Sequence, residues 1–196
     1  MRRTNLAGCD GYSFIELIFA LAVVATLAGI AVPIASGTID DIRASGAARH
    51  VAARIAASRL EAVRRSASVA LRFDRVGSDY AFTPVLDGNG DGVRAADVAG
   101  GIDRLLARTE RLGDQFANTS FGLRPGLPDL DGAMGTSDGV HIGSSSFLSV
   151  SPNGSSTGGT LYVQGRRSQY AVRVLGATGR VRLFWFDPGA RRWITR

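Results

Sequence analysis

The chain has 196 residues, of which 45% are hydrophobic and 20% charged, and its mean hydropathy is +0.08. This length supports one or two domains with a real core and excludes a disulfide-dense miniprotein; the composition fits neither a disordered chain nor a polytopic membrane protein. The net charge of +6 comes from 23 cations and 17 acids, and because every cation is Arg, an arginine cluster weighs less here than in a mixed chain. The single cysteine, Cys9, has no intramolecular disulfide partner. The two histidines, His50 and His141, stand far apart in sequence and read as ordinary surface or packing residues rather than as metal ligands.

At the start of the chain Arg2 and Arg3 precede a polar stretch that ends in Gly11, and no charged residue occurs from Leu17 to Ala35. At 1.5 Å per residue that run rises about 28 Å, close to the ~30 Å hydrocarbon core of a bilayer, which predicts a membrane-crossing helix. A cleaved secretory signal is the competing reading, but its apolar region usually runs ~7–15 residues and carries no internal acid. Here Glu16 sits at the entrance to the run. A carboxylate so placed is a functional candidate that calls for a cationic partner.

The residues Gly11-Tyr12-Ser13-Phe14-Ile15-Glu16-Leu17, followed by a long apolar helix containing Pro33, resemble the class III signal of type IV pilins and type II secretion pseudopilins. The resemblance implies cleavage by a prepilin peptidase between Gly11 and Tyr12 and methylation of the new N-terminus. Glu16 then becomes the fifth mature residue, where the family's glutamate pairs with the N-terminal amine of a neighbouring subunit. Loss of the leader, residues 1–11, removes Cys9 and leaves a mature charge of +5 (Arg2 and Arg3 against Asp10). Leader arginines on the cytoplasmic side would place the rest of the chain outside the inner membrane. The expected partners are the peptidase, other pilins or pseudopilins of the filament, the inner-membrane assembly platform and inner-membrane lipid.

Beyond Ser36 a helical period continues, with Ala48, Val51, Ala52, Ile55, Ala56, Val63 and Ala67 on one stripe and Arg43, Arg54, Glu61, Arg64 and Arg65 opposite. Arg59 intrudes on the apolar stripe without an explanation from pattern. The alanine-rich stripe suggests close packing on a sheet, and Pro33 should kink or unwind the helix, giving one bent helix from about Ser13 to Ser66. After Ser68 come short alternating runs, Val69 to Phe73, Tyr80 to Leu86, Phe147 to Val150, Leu161 to Val163, Tyr170 to Leu175 and Val181 to Phe186, separated by turns rich in Gly, Ser and Asp. These are read as antiparallel strands, and Gly113 to Ser146 as long loops with few strands.

Ser151-Pro152-Asn153-Gly154 ahead of Gly159-Thr160-Leu161-Tyr162-Val163, then Tyr170-Ala171-Val172-Arg173-Val174 and Gly179-Arg180-Val181-Arg182, are similar to the GspH/FimT subfamily of minor pseudopilins and minor pilins. The expected architecture is α+β: a long N-terminal spine helix, transmembrane then amphipathic, packed on an antiparallel β-sheet or β-sandwich. Its parts are a leader at 1–11, a transmembrane half at 12–35, an amphipathic half at 36–68 and a β-rich globular domain at 69–196. The expected placement is single-pass in the inner membrane with the globular domain in the periplasm or otherwise outside the cytoplasmic membrane.

Two constellations suggest binding. Asp87-Gly88-Asn89-Gly90-Asp91-Gly92 matches the first half of an EF-hand loop; Asp87, Asn89 and Asp91 would supply side-chain oxygens to calcium, Val93 its carbonyl, and Asp97 would replace the absent glutamate, since position twelve is Val98. A glycine-rich turn whose Asp and Asn side chains cap their own backbone is the alternative. From Arg166 to Arg196 eight arginines face one acid, Asp187, a local charge of +7. Arg180 and Arg182 fall on one strand face, and their Gly-Arg-x-Arg pattern resembles a DNA-contacting motif of FimT-type uptake pilins; a solvated face or a contact with acidic neighbouring subunits competes with it. The sequence holds no Gly-x-Ser-x-Gly elbow, phosphate-binding glycine loop or paired metal histidines, so no enzyme is expected and no cofactor is required. Three readings follow: a filament subunit, a DNA receptor, and a membrane-tethered calcium-dependent adhesin.

Overall fold

The structure is a computed structural model describing residues 12–143 and 145–196, with the side chains of residue 30 and residues 32–36 not described. Gly11, the rest of the leader with Cys9, and the side chain of Pro33 lie outside the described residues. The chain divides into two units, Met1–Thr38 and Ile39–Arg196.

Helix α1 (Phe14–Arg65) begins at Ser13, whose Oγ accepts the Glu16 N–H at 3.3 Å while its carbonyl accepts those of Glu16 and Leu17 at 3.1 and 3.2 Å. Ser13 and Glu16 therefore sit at the two positions of a capping box, a local signal that fixes where the helix starts. In the first unit the large apolar side chains of Phe14, Ile15, Leu17, Ile18, Phe19, Leu21, Val23, Val24 and Leu27 are all exposed.

The expected transmembrane half is corrected here, and with it the inner-membrane, single-pass placement. Among the described residues no helix is long and apolar enough to cross a membrane. The expected fold of a membrane spine laid on a sheet is corrected with it. What packs on the sheets is a helical segment belonging wholly to the second unit.

That segment buries Ala44, Ala47, Ala48, Val51 and Ile55, each at most 2% exposed. Three of the five are alanines, whose small side chains let the backbone come close to the strands. Gly46 makes room for the Phe116 ring, since a Cβ there would lie 3.0 Å from it. The outward side is mixed, with Ile42, Leu60 and Val63 exposed among the charged residues, and Glu61 holds Arg65 at 2.8 Å in the favourable i,i+4 order.

The second unit is α+β with two antiparallel sheets. The first contains β1 (Val69–Val76), β2 (Asp79–Leu86), β3 (Arg104–Leu105), β4 (Glu110–Arg111) and β7 (Phe147–Val150) in the order β3-β2-β1-β7, with β4 also on β2. β1 and β2 form a hairpin in register from Val69 opposite Leu86 to Val76 opposite Asp79, closed by a two-residue turn with Gly77 at φ +66°. The second contains β5 (Ser120–Phe121), β6 (Val140–Ile142), β8 (Gly159–Gln164), β9 (Gln169–Leu175), β10 (Arg180–Asp187) and β11 (Arg192–Thr195), ordered β11-β10-β9-β8-β5 with β6 on β8. Short helices α2 (Ala95–Ala99) and α3 (Leu112–Gln115) complete the unit.

One core joins the helix face to Leu71, Phe73, Phe82, Leu148 and Val150 of the first sheet and Leu161, Val163, Tyr170, Val172 and Val174 of the second. Phe73, Phe82 and Phe121 stack within it at centroid distances of 5.6 to 6.0 Å. A smaller core forms on the other side of the second sheet, where Leu123, Tyr162 and Ala171 are covered by Leu127, Leu130, Phe184 and Trp193. The Tyr162 hydroxyl accepts the Leu130 N–H at 2.9 Å, and the Trp193 indole donates to the carbonyls of Pro128 and Asp129, both at 3.1 Å. The loop-rich segment between β5 and β6 is thus the cover of a sheet face.

Candidate functional site

Tyr12 and Glu16 are exposed at the start of α1, and no ion pair among the described residues involves Glu16. Its position in the first turn suits a carboxylate, because the unsatisfied N–H groups there carry partial positive charge. The spacing of Ser13 and Glu16 is the sequence signal for this cap.

The candidate calcium loop is organised around buried carboxylates. Asp87 is 5% exposed, and its Oδ1 accepts the N–H groups of Asn89 at 3.2 Å and Gly90 at 2.7 Å while its Oδ2 accepts that of Gly92 at 2.9 Å. Asp103, 2% exposed, accepts the Gly88 N–H at 2.9 Å and the Arg94 N–H at 3.0 Å. Asp91 pairs with Arg94 at 2.9 Å, and the Asn89 side chain accepts the Asp91 N–H at 3.3 Å. Asp97 contributes its backbone carbonyl, to the N–H groups of Ile102 and Asp103, and Val93 is half-buried. Among the described residues no group of three or more His, Cys, Asp or Glu side chains is placed to hold a metal ion. Asp87 and Asp103 are engaged by backbone donors and Asp91 by Arg94. Asp103 was missed in the sequence reading, where a lone acid after Gly100-Gly101-Ile102 gives no local sign that it closes a turn begun at Asp87.

Arg180 and Arg182 are exposed on β10, opposite Leu175 and Arg173 of β9. Arg173 is paired with Asp131 at 2.5 Å, whereas no ion pair among the described residues uses Arg180 or Arg182. The glycine ahead of them has a packing role. Gly179 has φ +60°, and a Cβ there would lie 2.6 Å from the carbonyl oxygen of Gly154, itself at φ +86°. The Arg59 guanidinium stands against both, within 2.9 Å of a Cβ at Gly154 and 3.8 Å of one at Gly179. The Ser-Pro-Asn-Gly turn, the Gly-Arg turn and Arg59 thus meet in one place, which accounts for the arginine that broke the helical stripe.

The histidines have structural partners. His50 Nε2 lies 2.8 Å from a Glu110 oxygen, and Arg54 closes an ion pair with the same carboxylate. His141 stands edge-on to Tyr162 at 5.2 Å. Of the aromatics interleaved with arginines, Phe184 and Trp193 are engaged in the smaller core, and Trp185 packs on the main core with the Arg196 guanidinium 5.0 Å from its centroid.

The chain matches no known protein-family profile, no curated protein and no solved structure.

Proposed function

We propose that the chain is a subunit of a type IV pilin-like filament, of the minor pseudopilin or minor pilin kind, matured by a prepilin peptidase between Gly11 and Tyr12. The observation that carries this reading is the apolar helix of the first unit. Phe14, Ile15, Leu17, Ile18, Phe19, Leu21, Val23, Val24 and Leu27 are exposed, and at 100° per residue they cover every side of the helix. Such a helix needs an apolar environment all round, unlike an amphipathic surface helix with one wet face. A bundle of like helices supplies it. Within that bundle Glu16 is the one ionisable group on the described apolar stretch, and a neighbour's N-terminal ammonium supplies its counter-charge.

The test is co-expression with a prepilin peptidase followed by mass spectrometry and crosslinking. The mature chain begins at an N-methylated Tyr12, Gly11→Val leaves the precursor uncut, and Glu16→Ala reduces crosslinking between subunits without lowering the melting temperature. A mature chain starting elsewhere, or normal assembly of Glu16→Ala, defeats the reading. A second reading, DNA capture by such a subunit, is favoured by the exposed arginines Arg180 and Arg182, which form no ion pair among the described residues; a salt-dependent shift of duplex DNA that vanishes when both are replaced by Ala would support it.

A further inference from the structure

A cavity of about 260 Å³ opens beside the turn between β10 and β11, lined by Arg124, Leu127, Arg167, Gln169, Phe186 and Arg191 among others. Its three arginines come from three separate loops, and each loop's backbone is pinned by a polar side chain. Gln169, 1% exposed, accepts the Arg124 N–H at 3.0 Å and donates to the carbonyls of Gly122, Val163 and Tyr170 at 2.9 to 3.3 Å. Asp40 accepts the Arg167 N–H at 2.8 Å. Asp187 accepts those of Gly189 and Ala190 at 2.8 and 3.3 Å, holding the turn in which Arg191 takes φ +49°.

The guanidiniums themselves receive no acid. None of the ion pairs among the described residues includes Arg124, Arg167 or Arg191, although seven such pairs occur elsewhere. The Arg124 guanidinium instead donates to the Arg167 carbonyl, which steadies it at the cavity. Asp40 and Asp187, which pin two of these loops, are engaged with backbone N–H groups. Three like charges gathered around one hollow repel one another unless an anion offsets them. Below them Phe186, 5% exposed, and Leu127 give the hollow an apolar side.

The distribution of charge selects the ligand class. Arg180 and Arg182 share a strand face with Phe186, but between them Phe184 is packed in the smaller core under Trp193. The basic surface is therefore broken into two patches by an apolar bridge, which suits a discrete anionic segment better than the continuous track of a polyphosphate backbone. A single carboxylate is satisfied by one guanidinium fork, so three forks around an apolar patch call for more than one carboxylate with an apolar group between them.

We propose that this cavity binds an acidic peptide segment of a partner protein, its carboxylates meeting Arg124, Arg167 and Arg191 and an intervening apolar side chain resting on Phe186. The site needs neither Tyr12 nor Glu16 and so stands or falls apart from the filament reading.

Fluorescence anisotropy on the full-length chain tests it, with a labelled hexapeptide Gly-Glu-Phe-Glu-Glu-Gly, the same peptide with every Glu replaced by Gln, and a short single-stranded oligonucleotide. The acidic peptide binds and the Gln peptide does not; Arg124→Gln, Arg167→Gln and Arg191→Gln each weaken binding by about tenfold, the scale of a charge-assisted contact. Replacing Arg180 and Arg182 by Gln leaves affinity within about twofold. Because a loop variant could disturb the fold, melting temperatures accompany each measurement, and the wild-type chain is titrated from about 0.1 to 1 M salt, which shortens the Debye length from about 10 to 3 Å and should release the peptide. Equal binding of the Gln peptide, salt-insensitive binding, unchanged affinity when Arg124, Arg167 and Arg191 are all replaced by Gln in one chain, or tighter binding of the oligonucleotide through the same three arginines overturns the proposal.

Discussion

The Asp40 carboxylate accepts the backbone N–H of Arg166 at 2.7 Å, joining residues 126 positions apart, and it also takes the N–H groups of Arg167 at 2.8 Å and Ser168 at 3.0 Å. A helix side chain thereby caps the turn between β8 and β9. One residue on, Asp41 accepts the Tyr170 hydroxyl at 2.8 Å. Burial, reinforced by that bond, pushes the Tyr170 phenol up to about 12. Adjacent acids of α1 thus tie the second-unit helix to the second sheet at two points.

The Asp40 contact makes stability depend on acid. Burial works to raise this carboxyl, but the N–H bonds from Arg167, Arg166 and Ser168 together outweigh it and hold the group below its ordinary value of 3.8. A carboxyl depressed in the folded state stabilises the fold above its unfolded value, and that contribution disappears as pH falls through the folded one. Asp40→Asn, which keeps the shape but not the charge, should cost about 1–3 kcal/mol at neutral pH, the range for weakening charge-assisted bonds to buried donors. Urea melts of the two proteins should converge as pH drops from about 5 to below about 3. A gap that stays constant over that range would show the contact to be steric only.

Local patterns carried much of the second unit. Of the predicted helix stripe, Ala48, Val51 and Ile55 are buried and Ala52 half-buried, whereas Ala56 and Val63 are exposed and Ala62 is buried instead; the six alternating runs all fall within β1, β2, β7, β8, β9 and β10. Strand β11 was not read, and the two- and three-residue strands between Arg104 and Ile142 were not placed, because two or three residues cannot show a period. Leu161 to Val163 and Tyr170 to Val172, counted among the alternating runs, are buried at every residue, and the reason appears only in three dimensions: Tyr162 and Ala171 face a second core. Asp40 gave no sign at all, since its donors lie at the far end of the chain. Of the candidate sites, Asp87 and its glycines were legible as a turn, while Arg124, Arg167 and Arg191 converge only through tertiary folding.

Gly179 separates a structural from a functional role for the Gly-Arg turn. With φ +60° and the Gly154 carbonyl 2.6 Å from any added Cβ, Gly179→Ala meets both backbone strain and a clash with main chain. The expected loss is roughly 1–3 kcal/mol. Gly77→Ala is the control, with a similar φ of +66° and open space around its Cβ; it should cost about 1 kcal/mol. Chemical denaturation of both variants checks the ordering. Should Gly179→Ala prove no more damaging than Gly77→Ala, the packing of the two turns under Arg59 is looser than described, and the glycine has to be explained by what the neighbouring arginines contact.

The turn from Asp87 to Asp103 offers the sharpest test of buried polar satisfaction. Gly88 has no room for a side chain, since a Cβ would lie 2.0 Å from the Ile102 carbonyl oxygen, and its N–H is aimed at Asp103 with a second bond coming from Arg94. Asp103→Ala removes the acceptor for both donors at a residue only 2% exposed. Each N–H left without a partner costs about 1–3 kcal/mol, so the variant should lose roughly 2–4 kcal/mol after partial rescue by water. The damage should be local, because the loop packs little apolar surface. Amide exchange at Gly88 and Arg94 is expected to speed up by more than about tenfold while the amides of β9 keep their protection. Repeating the melt with millimolar calcium probes the cation reading of the same loop: a rise in melting temperature that disappears in Asp91→Ala would mean that the ion displaces Arg94 from Asp91, whereas an unchanged melt leaves the backbone-capped turn as its whole role.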